Sequence, residues 1–160
     1  MPRWEAIRSF AVNTIAVSRF IERMHDAFLE GDPQALTKQM EADNVRRMQT
    51  IYRAIARGDY AEALADAVDD IDLEIVAPPG HPFAGRWRGK AEVQEAIRRN
   101  FALVEDQRPE IQTLAAQGDT VVVVARERGR LRTTGQEYDL HFVQVFTFRD
   151  GKLTRMRELV

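Results

Sequence analysis

The stretches TVVVVARERGRL (residues 120–131), YDLHFVQVFTF (138–148) and LTRMREL (153–159) decide the fold of this chain. We interpret all three as strands, and the turn RDGK (149–152) joins the last two. An extended chain rises about 3.3 Å per residue, so strands of this length must curve to fit within a small domain. A curved antiparallel sheet closed by helices forms a pocket. Polar side chains on the apolar face of that sheet are therefore the first candidates for chemistry.

The composition is that of a single globular domain. With 160 residues, 44% hydrophobic and 30% charged, the chain can bury a sufficient core without disulfides. The net charge of -2, with acids and bases interleaved, offers no basic surface to nucleic acid or to an anionic membrane. The absence of cysteine excludes disulfides, thiolate nucleophiles and cysteine-based metal sites. No apolar run approaches the ~20 residues of a membrane span, and the start lacks a signal-peptide pattern, so we expect a cytoplasmic protein.

The first part of the chain has helical periodicity. Apolar residues at helical spacing predict a helix over Trp4–Leu29, which Gly31-Asp32-Pro33 ends because proline disrupts a continuing helix. A second helix is predicted over Ala42–Arg57 and a short one over Tyr60–Ala67.

The rest of the chain is mostly strands. Besides the three opening stretches, the pattern predicts one more helix and up to three more strands: helix Lys90–Val104 and strands Ile71–Val76, Phe83–Arg88 and Ile111–Ala116. Helices first and mostly antiparallel strands afterwards predict an α+β fold with the helices on one face of the sheet.

Alternation along residues 138–148 divides that strand into two faces. One face carries Tyr138, Leu140, Phe142, Gln144, Phe146 and Phe148. Because this set is the larger and more aromatic one, we place it against the helices. Gln144 is then the single amide in an aromatic wall.

The orientation of Glu158 depends on the turn before it. A type I turn with a glycine bulge over Arg149-Asp150-Gly151 would place Phe142 opposite Glu158, on the same inner face as Gln144. A two-residue turn would shift the register by one and point Glu158 outward. We prefer the bulged turn.

Arg126 and Arg128 lie two residues apart and share one face of their strand. In the phase we prefer, both point inward, where a buried arginine needs a partner such as Glu158 or a ligand carboxylate. In the alternative phase, this end of the sheet is solvated and Glu127 faces inward.

Several motifs together resemble a known family. They are Tyr52 with Arg57-Gly58-Asp59, Asp69-Asp70, PFAGRWRG at 82–89 and FTFRDGKL at 146–153. Their order and spacing resemble the NTF2-like superfamily, SnoaL-like branch, over residues 44–160. The resemblance implies an α+β cone, with a curved antiparallel sheet packed on three helices around an apolar pocket. It also implies a homodimer formed through the outer face of the sheet. Residues 1–43 would be an N-terminal helical extension that covers the pocket, packs on the dimer or binds a partner.

Two activities of the superfamily are disfavoured by the residues present. Ketosteroid isomerases use a tyrosine and a protonated aspartate as oxyanion donors and a second aspartate as base. The corresponding positions here fall on Ile51, on Gln144 and near Ile75 or Ala77.

Limonene-epoxide hydrolases use an Asp-Arg-Asp set. Arg126 matches the arginine, but Arg128 occupies the position of an aspartate.

SnoaL-type polyketide cyclases give the closest catalytic match. They place an aspartate acid/base on the last strand and a histidine on the strand before it, and these positions correspond to Glu158 and Gln144. The resemblance implies that Glu158 transfers a proton, Gln144 orients a carbonyl group and Arg126 gives electrostatic support. The alternative for Glu158 is a solvated carboxylate near the chain end. Side chains expected to line the pocket are Arg126, Arg128, Tyr52, Met48, Trp87, Phe101, Phe142, Phe146, Met156 and His81.

We expect neither a metal nor a cofactor. The acidic residues between Asp66 and Glu74 match no calcium loop, and the three histidines are scattered. The sequence thus favours a protein that binds a small apolar carbonyl compound, with isomerase- or cyclase-type acid–base chemistry. The alternative is a non-catalytic small-molecule-binding or dimerisation module with the N-terminal helix as a lid.

Overall fold

A computed structural model describes residues 33–160, and the helix predicted over Trp4–Leu29 lies outside them. The chain divides into two units between Gln39 and Met40, and the architecture below is that of the second, Met40–Val160. The described residues form three helices and six strands. In chain order these are α1 Pro33–Ala56, α2 Tyr60–Ala63, β1 Ala67–Val76, β2 Gly85–Arg88, α3 Lys90–Ala102, β3 Val104–Gln117, β4 Thr120–Leu131, β5 Glu137–Arg149 and β6 Lys152–Leu159.

The six strands form one sheet in the order β2-β1-β6-β5-β4-β3. All neighbours are antiparallel except β1 and β6, which run parallel. The α+β cone is therefore confirmed, but its sheet is mixed rather than fully antiparallel. The parallel pair arises because β6 returns to the centre of the sheet instead of extending its edge.

Helix α1 begins at Pro33, well before the predicted start at Ala42. The predicted end of the preceding helix lies outside the described residues, and Pro33 opens α1. At the first helical position its missing N–H group costs nothing and its fixed φ suits the helix.

Strand β3 begins at Val104 rather than at Ile111. Its first half is polar and contains Pro109, a composition typical of a loop. β3 is an edge strand, where proline and charged residues are tolerated because one side of the backbone faces solvent.

The core lies between the helices and the inner face of the sheet. Burying one large side chain such as Phe146 contributes about 1.5–3 kcal/mol. The helices supply Met48, Ile51, Ala54, Val93, Ala96 and Ile97, and the sheet supplies Ile71, Leu73, Ile75, Val121, Val123, Phe146, Phe148, Leu153 and Met156.

Helix α1 is fastened to the turn between β3 and β4. The carboxylate of Glu41 accepts a hydrogen bond from the backbone N–H of Gly118 at 2.8 Å. Asn44, 1% exposed, donates to the carbonyl of Gly118 at 3.4 Å and accepts from Arg47 Nη1 at 3.0 Å. These bonds satisfy a buried amide and fix the helix relative to the sheet.

The β5–β6 hairpin combines a tight turn with a bulge. Asp150 and Gly151 form a two-residue turn with φ values of 50° and 74°, the left-handed geometry of a type I′ turn. The bulged turn expected from the sequence was therefore wrong. An extra residue, Thr154, follows on β6 and shifts the register, so that Gln144 pairs with Glu158. Glu158 consequently faces inward, although Phe142 is not its partner.

Candidate functional site

Three polar side chains from three elements form a hydrogen-bonded chain on the inner face of the sheet. The Tyr52 hydroxyl of α1 donates to Gln144 Oε1 on β5. Gln144 Nε2 donates to Glu158 Oε2 on β6 at 2.6 Å. The structure therefore brings together Gln144 and Glu158, the two residues that the sequence suggested for chemistry.

Glu158 is half-buried, and its surroundings favour the protonated form. Burial raises the pKa of the Glu158 carboxyl above its usual value of 4.5. The hydrogen bond from Gln144 opposes this shift, and the negative charge of Glu127 adds to it. A carboxyl group with a raised pKa is suited to exchange protons near neutral pH.

The sequence did not indicate that the Tyr52 hydroxyl takes part in the site. Tyr52 was expected to give the pocket shape only, because it occupies an apolar helix stripe. Burial, with the charge of Glu158 as a smaller cause, raises the pKa of Tyr52, so its hydroxyl stays protonated and acts as a donor. Its ring contacts Phe146 edge-on at 5.8 Å. This packing fixes the phenol, which in turn fixes the amide of Gln144.

Apolar side chains surround the hydrogen-bonded chain. Phe146 and Met156 are buried and lie opposite each other on β5 and β6, and Phe142 is half-buried on the same face. Met48 is completely buried and fills the core. The polar groups of the site thus lie in an environment that strengthens electrostatic interactions.

Arg126 and Arg128 do not belong to this group. Buried Val121, Val123 and Ala125 show that the odd-numbered residues of β4 face inward. Arg126 Nε binds Asp139 Oδ1 at 2.7 Å, and Arg128 lies 4.0 Å from Glu110.

The predicted inward orientation of both arginines, and the Arg126–Glu158 pair, were therefore wrong. The four consecutive valines do not show which face of β4 is buried, because both alternating sets of side chains are equally apolar. Glu127 is the residue that faces inward.

Three of the predicted pocket residues contact other side chains instead: Trp87, Phe101 and His81. Trp87 stacks beneath the guanidinium of Arg99 at 5.4 Å, and Phe101 lies 6.0 Å from Tyr60. His81 contacts Phe83 edge-on at 5.3 Å in the loop before β2. Within residues 33–160 no hydrogen bond or ring contact joins these three to Gln144 or Glu158.

A cavity of about 370 Å³ opens elsewhere, between α1, α2 and the β5–β6 turn. Its wall carries charges of both signs, including Arg46, Arg47 and Asp66, and it does not include Tyr52, Gln144 or Glu158. The cavity therefore has no bearing on the acid–base group.

Within the described residues no three histidine, aspartate or glutamate side chains are grouped so that they could hold a metal ion. No described helix is both long enough and apolar enough to cross a membrane.

Comparison with known proteins places the chain in a family. The model of the SnoaL-like domain family matches residues 45–156, ending just before Glu158. No curated protein matches the chain at a significant level.

Solved structures with this fold include an NTF2-like protein from Burkholderia xenovorans LB400. It is 28% identical, with a TM-score of 0.64, and the alignment covers 74% of this chain and 88% of that chain. An NTF2-like protein from Burkholderia thailandensis E264 is 26% identical over 72% of this chain and 88% of that chain, with a TM-score of 0.64. TerC, co-crystallised with polyporic acid, is 25% identical over 72% of this chain and 89% of that chain, with a TM-score of 0.63.

Proposed function

The chain belongs to the SnoaL-like family, and on that premise we propose that it binds a small apolar carbonyl compound on the inner face of its sheet, with Glu158 as the acid–base group. The observation that carries this proposal is the hydrogen-bonded chain Tyr52–Gln144–Glu158. A relative crystallised with polyporic acid supports a small-molecule ligand.

Gln144 is suited to hold a carbonyl oxygen. Its amide has two N–H groups, and one of them is bound to Glu158. The other is available to donate to a ligand oxygen, while Tyr52 prevents the amide from rotating. A donor fixed in this way stabilises the negative charge that develops on the oxygen when a neighbouring proton is removed.

Glu158 would remove and return that proton. In its ionised form it takes a proton from the carbon next to the carbonyl group, and the electron pair moves into an enolate held by Gln144. In its protonated form it gives the proton back, to the same carbon or to a conjugated one. Return of the proton to a conjugated carbon gives an isomerisation. When the enolate instead attacks another carbonyl group of the same molecule, a ring closes and the new alkoxide takes the proton from Glu158.

A ligand screen with matched variants tests this proposal. Thermal shifts of the wild type, Glu158→Gln and Tyr52→Phe are measured with small ketones, aromatic polyketide-like ketones and steroids. A ligand at a hundred times its dissociation constant adds about 2.7 kcal/mol to the free energy of unfolding. We expect a ketone to stabilise the wild type and Glu158→Gln alike, and only the wild type to convert it. Tyr52→Phe should bind it more weakly, because the amide of Gln144 loses its anchor.

Other outcomes of this screen assign a different function. Binding without conversion by the wild type would favour the non-catalytic binding module, because Glu158 would then serve only to orient Gln144. If no ketone shifts the Tm of any of the three proteins, the carbonyl-binding proposal is refuted.

We also propose that two copies associate through the outer face of the sheet. Val122 and Val124 on β4 lie opposite Val145 and Val143 on β5, and all four remain partly exposed. These side chains form an apolar patch in the middle of the outer face, flanked by the ion pairs Arg126–Asp139 and Arg157–Glu74. An apolar centre with a charged rim is the usual composition of a protein–protein interface.

A further inference from the structure

A second polar cluster lies on the inner face of the sheet and is formed by Glu127, Tyr138 and Gln107. The Tyr138 hydroxyl donates to Glu127 Oε1 at 2.6 Å, and Gln107 Nε2 donates to the same oxygen at 3.1 Å. Within residues 33–160 no hydrogen bond reaches the other oxygen, Oε2. The Glu127 side chain is half-buried, and the two hydrogen bonds to Oε1 hold its carboxylate, so Oε2 is a positioned acceptor.

Two backbone features build this cluster. A Cβ atom at Gly129 would lie 2.5 Å from the Tyr138 hydroxyl, so glycine allows the phenol to fold across toward Glu127. On the neighbouring strand a bulge between Glu105 and Arg108, with Asp106 at a φ of 53°, inserts an extra residue. Bulges re-aim side chains, and this one lets Gln107 reach Glu127.

The cluster lies on the same face of the sheet as Glu158. Glu127 lies four residues along β4 from Val123, the partner of Gln144, which corresponds to about 13 Å at 3.3 Å per residue. Ala125 and Phe142 lie opposite each other between the two positions and make the intervening surface apolar. The negative charge of Glu127 adds to the raised pKa of the Glu158 carboxyl.

We propose that Glu127 binds a hydroxyl group at the far end of the ligand whose carbonyl group is held by Gln144. This inference rests on the proposed function, and it names the ligand class: a rigid hydroxy-ketone with polar ends and an apolar middle. A neutral hydroxyl fits better than an ammonium group. Two neutral donors already share Oε1, and the adjoining surface is too apolar for a strongly hydrated cation.

A pair of ligands that differ by one hydroxyl group tests the inference. Estrone carries a ketone and a phenol at opposite ends of a rigid skeleton, and 3-deoxyestrone lacks the phenol. Titration calorimetry on the full chain should show that the wild type binds estrone about tenfold more tightly, as expected for a hydrogen bond to a charged group. Glu127→Ala should bind both compounds with the affinity of the wild type for 3-deoxyestrone. Gly129→Ala should reduce the preference, because its methyl group displaces Tyr138.

The outcomes separate this inference from the proposed function. Equal binding of both ketones by the wild type, or a preference that persists in Glu127→Ala, overturns the hydroxyl site and leaves carbonyl binding intact. If the wild type binds neither ketone, the hydroxy-ketone class is overturned, and the thermal-shift screen decides separately on carbonyl binding. Tighter binding of the 3-amino analogue than of estrone overturns the hydroxyl assignment. Circular dichroism checks that each variant folds, and the isosteric Glu127→Gln replaces Glu127→Ala if the latter does not.

Discussion

Glu158 is a carboxyl group whose ionised form opposes folding. Its folded-state pKa is raised above the usual 4.5, whereas the unfolded chain has the ordinary value. The folded state therefore holds this proton at pH values at which the unfolded state has lost it. By linkage, the stability that Glu158 contributes is fully present below about pH 4.5 and is lost as the pH rises through the raised pKa.

Replacing Glu158 by glutamine should remove this pH dependence. The amide keeps the shape and can still accept from Gln144, but it does not titrate. We expect the Tm of Glu158→Gln relative to the wild type to rise as the pH increases from about 4.5 toward neutrality. Differential scanning calorimetry across this range measures the difference. A constant difference would contradict the raised pKa.

At the scale of single residues the sequence indicated Gln144 and Glu158 correctly as neighbours. It predicted Tyr52 only as a pocket-lining side chain and an inward Glu127 only as the alternative. Gln144 was recognisable because it is the one amide on an aromatic face. The hydroxyl of Tyr52 gives no such signal, because tyrosine in a helical stripe looks like any core aromatic residue. The inward orientation of Glu127 was not the preferred one, because the alternation along its strand was assigned one residue out of step.

Among the elements, the β5–β6 hairpin decides the geometry of the site. Its two-residue turn alone would point Glu158 outward, and the extra residue Thr154 restores the inward orientation. The sequence predicted the right orientation for the wrong reason. A shift of the register by one residue in either direction turns Glu158 inward, although it gives Glu158 a different partner on β5. Alternation patterns therefore predict that a strand exists more reliably than they predict its face.

Gly151 should tolerate a side chain less well than Gly58, although both have a φ of 74°. A Cβ atom at Gly151 would lie 2.8 Å from Arg47 Nη2, whereas nothing lies within 4 Å of one at Gly58. We expect Gly58→Ala to lower the free energy of unfolding by about 1 kcal/mol through backbone strain alone. Gly151→Ala should lower it further, because Arg47 must also move away. Urea denaturation of both variants measures the two losses. Equal decreases in the free energy of unfolding would show that the contact with Arg47 does not affect stability.

For the molecule as a whole, the outer face of the sheet should control assembly. We expect Val124→Lys to convert a dimer into a monomer, because it places a charge in the apolar patch. Sedimentation velocity at several protein concentrations measures this. Ile111→Lys, a change at a 49% exposed residue of the edge strand, serves as the control and should leave the dimer intact. A wild type that is monomeric at all concentrations would contradict the proposed interface.

The overall architecture was predictable because many weak signals agreed, namely the helix stripes, the long alternating strands and the motifs around Trp87 and Asp150. The parallel pairing of β1 with β6 was not, because it joins residues as far apart as Leu73 and Met156. Sequence patterns specify what each segment can become, whereas distant pairing depends on the completed sheet.

That pairing makes the order of synthesis matter. β6 comes last of the six strands and lies between β1 and β5. While the ribosome still holds residues 152–159, the growing chain can form β1 with β2 and the meander β3–β5, but it cannot join them. Both pieces then expose an unpaired strand edge, which is a template for pairing with other chains. The nascent protein is therefore most prone to aggregate in the interval just before β6 emerges.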